Sequence, residues 1–65
     1  MNSIDIYFNG ITFHCIDLDV NDKLRSELEL FSRHVERETY LVYIEHGEIV
    51  IEEENGYSYS SLMQL

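Results

Sequence analysis

The chain has 65 residues, 45% of them hydrophobic, with one cysteine, no proline and a formal net charge of −9. That length suits one domain with a thin stability margin, and a single cysteine excludes an internal disulfide, so the fold must stand on its core. Thirteen acidic residues against four basic ones argue against nucleic acid or an anionic membrane as the partner and favour a basic protein surface.

The first predicted element is a strand, because Ile4, Ile6 and Phe8 alternate with Asp5 and Tyr7. Asn9-Gly10 follows, the pair that best tolerates the two positive φ angles of a type I′ hairpin turn. A return strand runs from Ile11 to about Asp17, and a two-residue turn sets Phe8 opposite Ile11, Ile6 opposite Phe13 and Ile4 opposite Cys15. From about Asn21 to Glu38 the spacing predicts a helix. Val20, Leu24, Leu28, Phe31 and Val35 recur at steps of four, four, three and four, one apolar stripe at 3.6 residues per turn. Asp19 and Asn21 both suit the N-cap, Arg33 and Arg37 the negative end of the dipole, and Leu30 falls off the stripe.

Three more strands are expected. Tyr40, Val42 and Ile44 alternate with Leu41, Tyr43 and Glu45; His46-Gly47 turns the chain; Ile49 and Ile51 alternate with Glu48, Val50 and Glu52. Asn55-Gly56 then signals a second hairpin before a strand from Tyr57 to about Leu62, which sets Ile49 opposite Leu62. The expected fold is α+β: an antiparallel five-stranded sheet with one helix packed on one face, order ββαβββ, in a single domain spanning residues 1–65. MNSIDIYF has no basic n-region and no apolar run reaches the ~20 residues of a bilayer span, so the expectation is a soluble, cytoplasmic protein.

Charge is segregated along this layout. All four bases, Lys23, Arg25, Arg33 and Arg37, lie between Asp22 and Glu38, whereas eight of the thirteen acids lie outside that segment. Strand alternation puts Asp5, Tyr7, Thr12, His14, Leu41, Tyr43, Glu45, Glu48, Val50, Glu52, Glu54, Tyr57 and Tyr59 on the side away from the helix. Five carboxylates along a strand of ~23 Å approach the charge density of a nucleic-acid strand. Arg on a partner pairs with carboxylates bidentately and stacks on tyrosine. The expected partner-binding residues are Asp5, Tyr43, Glu45, Glu48, Glu52, Glu53, Glu54, Tyr57 and Tyr59.

Catalytic, cofactor and metal sites are not expected. His14 and Cys15 are adjacent on a strand and point to opposite faces, so they cannot chelate one ion or form a nucleophile pair. His34 and His46 belong to no ligand spacing. Cys15 reads as a small core residue.

In length, acidity, lack of disulfides and α+β layout the chain resembles small phage-encoded inhibitors, anti-CRISPR proteins of the nucleic-acid-mimic kind in particular. The resemblance rests on composition and layout across the whole chain. It implies a monomeric inhibitor in the host bacterial cytoplasm that blocks target-DNA binding by a CRISPR surveillance complex without binding nucleic acid itself. The competing expectation is a small adaptor or subunit domain, open to homodimerisation, that binds through apolar and edge-strand contacts at Leu30, Leu62, Met63 and Leu65.

Overall fold

The structure, a computed structural model, describes residues 2–53 in full and the backbone of residues 58–64. Four strands, β1 (Ser3–Phe8), β2 (Ile11–Ile16), β3 (Thr39–Glu45) and β4 (Glu48–Glu53), and one helix, α1 (Asp22–Ser32), follow in the order ββαββ. The strands are neighbours in chain order, and the backbone of Ser58–Gln64 (β5) lies antiparallel beside β4.

The sheet is mixed, which corrects the expectation of an antiparallel five-stranded sheet. β2 and β3 run parallel, with Thr12 to Cys15 paired to Thr39 to Val42. The reason lies in the helix. Its 11 residues rise about 16 Å at 1.5 Å per residue. A six-residue strand covers about 20 Å. The helix therefore carries the chain back along nearly the full height of the sheet, from the end of β2 to the level where β2 began. A strand that starts there beside β2 has to run parallel to it, as in any βαβ crossover. The return is sealed where the Thr12 amide donates to the Glu38 carbonyl at 2.7 Å.

The same constraint shortens the helix. The apolar stripe predicts a span reaching Glu38, but the helix stops at Ser32 with Arg33 as C-cap, since further turns would overshoot the start of β3. The hydroxyl of Ser32 donates to the Glu29 carbonyl at 2.6 Å and accepts from Asn9 Nδ2 at 2.9 Å, tying the helix end to the first hairpin turn. Asn21 caps the other end through a 2.8 Å bond from the Leu24 amide to its Oδ1. Arg33 pairs with Glu29 of the helix at 2.7 Å, and Arg37 lies beyond the last turn.

The antiparallel pairings read from the sequence hold for the first two hairpins. Phe8 meets Ile11, Ile6 meets Phe13 and Ile4 meets Cys15; Val42 meets Ile51 and Ile44 meets Ile49. Both turns have two positive φ angles, 50° and 80° at Asn9-Gly10 and 53° and 77° at His46-Gly47. A Cβ at Gly10 or Gly47 would meet nothing within 4 Å, so the cost of Gly10→Ala or Gly47→Ala is conformational alone. Each substitution is expected to cost about 1–2 kcal/mol. Urea unfolding checks this; an unchanged midpoint would show that the turns relax into another type.

Between the helix and the sheet, Phe13, Cys15, Leu28, Tyr40 and Val42 are fully buried, joined by Ile6, Ile11, Leu24, Ile49 and Ile51. Val20, Phe31 and Val35 pack against this core, so the whole apolar stripe faces the sheet although Val35 lies past the helix. Three rings form its centre. Phe13 stacks on Tyr40 with centroids 5.8 Å apart, and Phe31 meets Tyr40 edge-on at 5.2 Å. Leu30, off the stripe, is 51% exposed.

Candidate functional site

The side of the sheet away from the helix is built in rows by the register. Asp5 pairs with His14, His14 with Leu41, and Leu41 with Glu52, so these four residues cross from β1 to β4 in one line. Tyr43 and Val50 form the next row, and Glu45 and Glu48 face each other beside the His46-Gly47 turn. No strand of the sheet contains a lysine or arginine. Asp5, Glu45, Glu48 and Glu52 therefore share one face with no fixed cation in its strands.

Of the nine residues expected at the site, Asp5, Tyr43, Glu45, Glu48 and Glu52 come together here. Glu53 does not. It pairs with Tyr40 and is buried, 9% exposed, on the helix side, because alternation along β4 sends successive residues to opposite faces. Glu54 and Tyr57 lie outside the described residues. Tyr59 pairs with Ile51, one residue away from the expected register, and Glu52 pairs with Ser58. The expected opposition of Ile49 and Leu62 is lost with it, since the pairing shifts between Glu48 and Val50. The side chain of Tyr59 lies outside the described residues.

The carboxylates form a patch rather than a line. Asp5 and Glu52 are three strand spacings apart, about 14 Å, whereas directly opposed residues such as Glu45 and Glu48 are about 5 Å apart. The close pair costs about 0.2–1 kcal/mol in repulsion. Asp5 accepts a bond from His14 Nδ1 across the hairpin at 2.5 Å. The two-residue turn already makes Asp5 and His14 cross-strand neighbours, so the sequence contains this contact, although the charge pattern alone does not bring it out.

Tyr43 records the local field. Its phenol is pushed above the ordinary value, first by desolvation on the sheet and then by the charges of Glu52 and Glu45. Ionising it would add a third negative charge beside two. An alkaline titration followed by carbon NMR of the tyrosine rings is expected to show Tyr43 ionising above the usual phenol range, and Glu52→Gln to lower its midpoint. A midpoint indifferent to Glu52→Gln would mean that the carboxylate and the phenol are not neighbours.

Cys15 is fully buried. Burial, then the charge of Asp5, push its thiol up to about 11 against a smaller opposing pull from Arg25. It is protonated at neutral pH and is a poor nucleophile. Among the described residues no group of three His, Cys, Asp or Glu side chains is arranged to hold a metal ion, and no helix is long and apolar enough to cross a membrane. No protein-family model, curated protein or solved structure matches the chain.

Proposed function

We propose that this protein is an inhibitor that docks the open face of its sheet on a basic surface used by another protein to hold nucleic acid. The partner indicated by the resemblance to anti-CRISPR proteins is a CRISPR surveillance complex, met in the host bacterial cytoplasm and blocked before it binds target DNA. The observation that carries this reading is the gathering of Asp5, Glu45, Glu48 and Glu52 on one face of a sheet whose strands hold no lysine or arginine. Arg33, at the helix end, pairs with Glu29 of the helix rather than with any acid of that face. Repulsion at Glu45 and Glu48 is retained in a small domain with a thin stability margin, which favours a role in recognition.

Such an inhibitor acts stoichiometrically, as a monomer, and without cofactor or catalysis. Association should slow as salt rises, because opposite charges steer the encounter. The test is a gel-shift titration of target DNA on purified surveillance complexes. Equimolar protein is expected to release the DNA, with potency falling between low and physiological salt. A ternary species carrying both DNA and the protein would contradict competition. A second reading, an adaptor domain, is favoured by the exposure of Leu30; light scattering during size exclusion would support it by showing a stable dimer.

A further inference from the structure

The open face is not uniformly polar. Leu41 and Tyr43 on β3 and Val50 on β4 stand together in its middle, with Tyr43 directly opposite Val50. Cys15 pairs with Val42 in the parallel ladder, so Ile16, next along β2, is level with Tyr43 and extends the strip. These residues are on the far side from the helix, and Val50 is no part of the helix-side core, yet it is only 8% exposed. Ile16, Leu41 and Tyr43 are half-buried. The carboxylates border this strip, with Asp5 towards the β1 edge, Glu52 beside Leu41, and Glu45 and Glu48 at the turn.

An apolar centre within a charged rim is the anatomy of a protein–protein interface. A surface that only imitated phosphates would have no use for the centre. We infer that the occupant of this face is a basic protein segment that seats one apolar or aromatic side chain on the half-buried Ile16, Leu41 and Tyr43, over a floor closed by Val50, while flanking lysines or arginines meet the carboxylates around them. Charge selects this occupant. A second copy would set four carboxylates against four, and a nucleic acid would bring phosphates to the same field. A flanking guanidinium can also lie flat on the Tyr43 ring. The inference rests on the reading that the open face is the binding face, and it adds that the partner's anchor is apolar.

Two synthetic peptides of equal length and charge serve as probes. Both carry lysine and arginine at the flanks; one has tryptophan at its centre and the other a Gly-Ser pair. By fluorescence or calorimetric titration at about 150 mM salt, the tryptophan peptide is expected to bind about tenfold more tightly. That advantage should persist as salt rises, since apolar burial is not screened. Leu41→Thr, and separately Ile16→Thr, place a β-branched residue that suits a strand and should erase the advantage while leaving the Gly-Ser peptide's affinity unchanged. Equal affinity of the two peptides for the unaltered protein would overturn the apolar anchor and leave the acidic docking face standing. If a folded Glu48→Lys/Glu52→Lys variant bound both peptides as well as the unaltered protein does, both readings would fall.

Discussion

Phe13→Ala is expected to leave most of the protein unfolded at 25 °C. Phe13 has no exposed surface and lies between two other rings, stacked on Tyr40 and edge-on to Phe31 at 6.1 Å. It also joins the layers, since it sits on β2 beneath the helix. Removing a buried phenylalanine ring costs about 3–5 kcal/mol. A chain of 65 residues, at about 0.05–0.15 kcal/mol per residue, has about 3–10 kcal/mol in total. With no disulfide to compensate, a loss of that size takes any total up to about 5 kcal/mol to zero. Phe13→Leu keeps the site apolar and nearly full, so it should remain folded with a lower urea midpoint. Circular dichroism separates the two. A cooperative transition for Phe13→Ala within about 1 kcal/mol of the unaltered protein would show that the three rings are not the centre of the core.

The second large effect is on binding, and its sign is opposite to its effect on the fold. Reversing Glu48 and Glu52 together to lysine removes the like-charge pair of Glu45 and Glu48 and places a cation in the row of Asp5. The fold should gain a few tenths of a kcal/mol or more, because the lysine introduced at position 48 would face Glu45 across the hairpin with opposite charge. Binding to a basic partner should fall at least about 100-fold, since two attractive contacts become repulsive and each is worth about 1.5 kcal/mol or more at a close interface. Thermal unfolding and the DNA-release titration report the two effects separately. Loss of inhibition with loss of structure would make the variant uninformative about the face, and for that reason the stability gain is part of the expected result. Retained inhibition by the folded variant contradicts the acidic docking face. On the proposed function, the open face keeps a charge pair that lowers stability.

Local features are legible in the sequence wherever a short-range rule has no competitor. Asn9-Gly10 determines the first hairpin, and period-2 alternation then sets which of Asp5, Tyr43, Glu45, Glu48 and Glu52 share a face. The helical stripe marks Leu24 and Leu28 as core positions. What the pattern does not contain is direction. Alternation is identical in parallel and antiparallel strands, so only the length of the helical return decides that β3 runs parallel to β2. The stripe overstates that length, since it runs on to Val35 where the helix ends at Ser32.

The remaining differences arise where one residue of register matters. Glu53 resembles Glu52 and Glu54 because three consecutive acids look like one charged run. On a strand, however, neighbours point apart, and Glu53 is buried on the opposite face from Glu52, paired with Tyr40. The expectation for Tyr59 assumes a two-residue turn at Asn55-Gly56 and an unbroken ladder. The pairing of β4 with β5 instead shifts between Glu48 and Val50, a displacement that no dipeptide signal encodes. The apolar strip is visible residue by residue, since alternation assigns Leu41 and Val50 to the open side. Its meaning depends on their adjacency across strands and on the flanking Ile16.

Carboxyl footprinting of the protein mixed with the surveillance complex proposed as its target is the most direct measurement. Carbodiimide coupling of an amine to exposed acids, read by mass spectrometry, compares free and bound protein one side chain at a time. The expected result is protection of Asp5, Glu45, Glu48 and Glu52 with unchanged labelling of Glu27 on the helix and Glu36 in the connection that follows it. Protection of Glu27 and Glu36, with Glu48 and Glu52 still fully labelled, would contradict it.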